Sequence, residues 1–113
     1  GPGDGKPFFF GSPDSHLNPK SKENQKRFHE HCLKTLGKQP LGFSEKVRVT
    51  GAGYHPLWRR ISKNWVAENT ASRSVHLTLE TTWNSPHSTQ DGYLNYGAAL
   101  GQAIASYLKS TPR

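Results

Sequence analysis

The sequence is short of cysteine, acid and long apolar runs, and it has no methionine. A single cysteine, Cys32, excludes an internal disulfide and a CxxC zinc knuckle, so nothing points to an oxidising compartment. No apolar stretch approaches the roughly 20 residues that a spanning helix needs, which predicts no membrane partner. Eight acidic residues against 15 Lys and Arg leave a formal charge of +7. Hydrophobic residues are only 32% of the 113, and mean hydropathy is −0.80, lean for an independent core. Three Trp, four Tyr and five Phe offset this with large burying groups, which argues against disorder along the whole length. The length fits one domain. The start Gly1-Pro2-Gly3, without a methionine, reads as a cut end, so the expectation is a single domain or a fragment of one.

Local patterns divide the chain into a strand and loop lead-in over 1–20 and an α/β body over 21–110. Phe8-Phe9-Phe10 before Gly11-Ser12-Pro13-Asp14 predicts a short buried strand running into a turn. From Ser21 to Leu36, Phe28, Cys32 and Leu36 recur every four residues with Leu33 beside them. This predicts a helix with Ser21 as N-cap and Gly37 as its stop. Val47 and Val49 around Arg48 suggest a strand, and Gly51-Ala52-Gly53 a flexible turn. Pro56, Leu57, Ile61 and Trp65 predict a second helix. Ser74 to Thr82 is the clearest strand, with Val75, Leu77 and Leu79 on one face and His76, Thr78 and Glu80 on the other. A last helix is expected from about Tyr93 to Lys109, buried along Tyr96, Leu100, Ile104 and Leu108. Its many small residues suggest close packing on a sheet. The predicted fold class is α/β, a small mixed sheet flanked by about three helices.

Glu80 is the position richest in chemical meaning. It interrupts an apolar strand near its C-terminal end, where open α/β sheets place their ligands. A carboxylate there is costly to bury unless it is paired, near a metal or facing a cleft; the plain alternative is a solvated sheet face or an Arg partner.

Val75-His76-Leu77-Thr78-Leu79-Glu80 followed by Thr81-Thr82-Trp83-Asn84 resembles the segment that carries the catalytic glutamate in carboxypeptidase A-like zinc metallopeptidases. Ser88-Thr89, Tyr93, Tyr96-Gly97, Leu100-Gly101 and Tyr107-Leu108 are similar to that family's closing loop and C-terminal helix. The Phe8–Asp14 segment and the helix with Gln25 and Phe28 resemble the region after its third zinc ligand. The resemblance spans most of the chain in order. It implies that Glu80 is the general acid/base of the hydrolysis, taking a proton from a zinc-bound water and passing it to the leaving amine of a peptide or amidated substrate.

The chain departs from that pattern at the metal. No His-x-x-Glu motif occurs. His29 and His31 lie at i, i+2 on one helix and face apart. His76 and Glu80 share a strand face but lie about 13 Å apart by strand rise, too far to hold one ion. His16, His55 and His87 stand alone in loops. No metal ligand is therefore assigned. The expectation is a C-terminal fragment of such an enzyme, with zinc held by the intact parent, none by this chain, and no activity alone. On the substrate side, Tyr54 after the Gly51–Gly53 turn is the candidate, with ordinary packing as its alternative. Missing sheet neighbours would favour self-association. The rival reading is a basic nucleic-acid-binding module, with Lys20, Lys22, Lys26 and Arg27 as one patch and Lys46, Arg48, Arg59, Arg60 and Lys63 as another. No GxSxG, P-loop or GxGxxG sequence is present.

Overall fold

The computed structural model describes residues 5–60, 63, 64, 66 and 74–110. Phe8-Phe9-Phe10-Gly11 forms strand β1 (Phe8–Gly11), which lies at the centre of the sheet. It pairs in parallel with β2 (Arg48–Val49) and antiparallel with β3 (Thr78–Glu80), in the order β2-β1-β3. With helices α1 (Pro19–Leu36) and α2 (Gln90–Ser110), the described residues form an α/β fold of three strands and two long helices. Register sets the faces. Phe8 lies opposite Glu80, Phe9 opposite Leu79 and Phe10 opposite Thr78. Because side chains alternate along a strand, Phe9 and Leu79 share one face, and Phe8, Phe10, Thr78 and Glu80 the other.

The Phe9 face is closed by the helices. Phe9 stacks on Phe28 at 5.8 Å and meets the edge of Phe43 at 5.0 Å. Around it gather Cys32, Leu36, Leu41, Tyr96, Ala99 and Ala103, all buried, with Leu77 and Leu79 packed against them. Full burial of a side chain such as Leu36 stabilises by roughly 1.5–3 kcal/mol. Gly11 lies against α1, where a Cβ would meet Gln25 Nε2 at 3.3 Å and Val47 Cγ1 at 3.1 Å. Gly42 takes a left-handed turn at φ 71°.

Helix α1 starts earlier than the expected Ser21 cap. Asn18 is the N-cap, its side chain accepting the Ser21 amide at 2.9 Å, and Pro19 opens the first turn, where its missing N–H is harmless. At the other end Gly37 stays right-handed at φ −61°, ψ −21°, and its amide donates to the Leu33 carbonyl at 3.2 Å.

Two further expectations change. Helix α2 packs on α1 rather than on the sheet. Its buried line is Tyr96, Ala99 and Ala103, while Ile104 and Leu108 are exposed. The reason is steric: alanines let two helices approach closely, so the small residues turn inward and the bulky ones outward. Strand β3 covers only Thr78–Glu80 of the expected Ser74–Thr82. The ladder to β3 ends at Phe10 opposite Thr78, while β1 runs on to Gly11, which keeps its pairing with Val49 of β2. Of the second helix, the described part is a 3-10 turn at Trp58–Arg60 with helical backbone at 63, 64 and 66; Ile61 and Trp65 lie outside the described residues.

Contacts at the far ends hold the helix pair together. The Arg27 guanidinium lies 5.3 Å from the Tyr107 ring centroid and donates to Ser110 Oγ at 3.1 Å. His31 bonds both Ser106 and Ser110 of α2 at 3.0 Å.

Candidate functional site

The sheet face opposite the helices carries a cavity of about 450 Å³. Phe10, Thr78 and Glu80 reach it from the strands, Thr50, Tyr54, His55 and Leu57 from the connection after β2, and Arg60 and Lys63 from the segment beyond. Glu80 is the last residue of β3, exposed, on the same face as Phe8 and Phe10. Tyr54 closes a turn in which its amide donates to the Gly51 carbonyl at 2.9 Å, and its ring tilts against Phe10 at 5.6 Å. Both sequence candidates thus line one cavity, although 26 positions separate them in the chain. Tyr54 also packs, so its two readings meet in one side chain. A wider concavity of about 570 Å³ near Pro13, Val49 and Gly51 shares Tyr54 but is lined by no other ionisable group.

Beside the cavity runs a buried polar network that the sequence did not reveal. Asn64 is fully buried. Its Nδ2 donates to the Thr50 carbonyl at 2.9 Å, and its Oδ1 accepts from Ser12 Oγ and from Lys63 Nζ. One amide therefore ties the 63–64 segment to the end of β1 and to the residue after β2. Lys63 Nζ also donates to Thr50 Oγ1. Lys63, read from the sequence as part of a surface basic patch, is only 5% exposed, whereas the other eight lysines are exposed. Burial lowers its pKa from the ordinary 10.5. His76 is buried nearby with Nδ1 unpartnered; burial first, and then the Lys63 charge, lowers its pKa. No composition or spacing signal distinguishes Lys63 or Asn64 from solvated residues, because tertiary closure alone buries them.

His29 and Cys32 serve packing. His29 uses Nε2–H to donate to the Ser44 carbonyl at 3.2 Å, and burial lowers its pKa. Burial pushes the Cys32 thiol up to about 12, which leaves it protonated and poorly nucleophilic. Of the two expected basic patches, Lys22 pairs with Asp14 at 3.1 Å and Arg48 lies 4.6 Å over the Phe8 ring. Among the described residues, no three His, Cys, Asp or Glu side chains converge to hold a metal. Among the described residues, no helix is long and apolar enough to cross a membrane. No family model, no curated protein and no solved structure matches the chain.

Proposed function

We propose that this chain is the C-terminal part of a carboxypeptidase-like zinc peptidase domain and supplies its general acid/base, Glu80. The observation that carries the reading is the shared cavity: Glu80, ending β3 on the open sheet face, and Tyr54, on the turn after β2, line the same 450 Å³ space. An exposed carboxylate at a strand's C-terminal end can take a proton from an attacking water and return it to the leaving amine. Tyr54 offers a hydroxyl and a ring to the peptide or amidated substrate, and Arg60 offers a guanidinium suited to a carboxylate. Zinc ligands would come from residues outside this sequence, and the isolated chain hydrolyses nothing.

The same reading expects the isolated chain to self-associate through apolar surface left open. Leu94, Ile104 and Leu108 on α2 and Trp83 after β3 are all exposed. The test compares this chain with one extended upstream by about 150 residues, the size of a further domain. The extended protein should bind zinc and remove C-terminal residues from peptides, while this chain does neither. An extended protein without metal or peptidase activity would overturn the reading.

A further inference from the structure

We propose that Lys63 is a carbonyl-capturing amine: it forms an imine with small aromatic or aliphatic aldehydes that enter the cavity beside it. Three observations carry this. Lys63 is the only one of the nine lysines that is not exposed. Its Nζ is held by two neutral oxygens, Thr50 Oγ1 and Asn64 Oδ1, and no carboxylate pairs with it among the described residues. It also lines a cavity whose Phe10, Tyr54 and Leu57 side chains suit an apolar body. An ammonium desolvated without a counter-charge is the arrangement that favours the free amine, and the lowered pKa agrees.

In the reaction the Nζ lone pair attacks the aldehyde carbon, its bond to oxygen becomes single, and a proton passes from nitrogen to that oxygen, giving a carbinolamine. Protonation of that hydroxyl by solvent expels it as water while the nitrogen lone pair forms the carbon–nitrogen double bond, and the nitrogen then returns its remaining proton to solvent. Amine and aldehyde are consumed one for one and no oxidant is needed. Thr50 and Asn64 fix the amine in position, so little side-chain freedom remains to be lost on capture. The proposal goes beyond the peptidase reading and does not depend on it, since it assigns no role to Glu80.

The test is reductive trapping of the full chain with benzaldehyde and cyanoborohydride at neutral pH, the adduct mapped by peptide mass spectrometry. The adduct at Lys63 should exceed that at each of the eight exposed lysines severalfold. Its yield should also level off at lower pH than theirs. Leu57→Trp, a change at an exposed position, should fill the cavity, reduce the Lys63 adduct and leave the others unaltered. The adducts are read without zinc or peptide substrate, which separates this proposal from the peptidase one. Labelling spread evenly over the exposed lysines, or confined to them and the terminal amine, would overturn it. So would a Lys63 adduct insensitive to Leu57→Trp.

Discussion

The two faces of one small sheet have opposite characters. On the Phe9 face, helices α1 and α2 enclose Cys32, Leu36, Tyr96 and Ala103, and the Tyr96 hydroxyl donates to the Gly42 carbonyl at 2.8 Å. On the Phe10 face, loop segments close over the strands through Asn64, Thr50, Ser12 and Lys63, leaving a cavity with Glu80, Arg60 and His55 on its wall. A difference of one residue in strand parity separates the two. Apolar burial on one side supplies the stability that a half-open polar side consumes, because desolvated polar groups there gain only modest net energy from their hydrogen bonds.

Substitutions on each face sharpen this contrast. Phe9→Ala should have the largest effect, a loss of about 3–5 kcal/mol in denaturant unfolding, since it removes the ring on which three aromatic neighbours converge. Asn64→Ala should cost about 1–3 kcal/mol by leaving buried partners unsatisfied. It should also loosen Lys63, which is read as a fall in the Lys63 adduct. Asn18→Ala removes only the α1 cap and should cost about 1 kcal/mol. Glu80→Gln, at an exposed position, should change stability by less than about 0.5 kcal/mol. A Phe9→Ala effect no larger than that of Asn18→Ala would remove the contrast between the faces.

The same contrast has a pH signature. His29 and His76 are both buried and both titrate below the ordinary 6.5. In the unfolded chain they take up protons as pH falls through 6.5, while in the folded protein they resist. The unfolded state then binds more protons, so their contribution is fully present above 6.5 and is lost as pH drops below it, until the folded-state values are passed. His29→Gln should flatten this dependence in melts recorded from neutral to mildly acidic pH.

Much of this architecture is legible in the sequence because it rests on local rules. The triple Phe, the four-residue repeat through Cys32 and Leu36, and the alternation at Leu77-Thr78-Leu79-Glu80 each declare an element by its period. What the sequence hides depends on partners. Ile104 and Leu108 carry the right period for burial, yet α2 turns its alanines to α1, and nothing local decides between two faces that are both apolar. Strand β3 begins only at Thr78, although the alternation runs back through Val75 and His76, and nothing local marks that limit. At the site, Glu80 stands out as a charge in an apolar strand, and Tyr54 after a glycine-rich turn. Lys63 and Asn64 look like any polar pair on a helix, and only the return of the chain over Thr50 and Ser12 buries them.

The central claim, that Glu80 is the proton-transferring carboxylate of a peptidase site, is tested most directly by Glu80→Gln in the upstream-extended protein, with zinc content and peptide hydrolysis measured on the same sample. The account predicts a loss of turnover of at least about 10²–10⁴-fold with zinc content unchanged. Turnover close to that of the unsubstituted protein would contradict it.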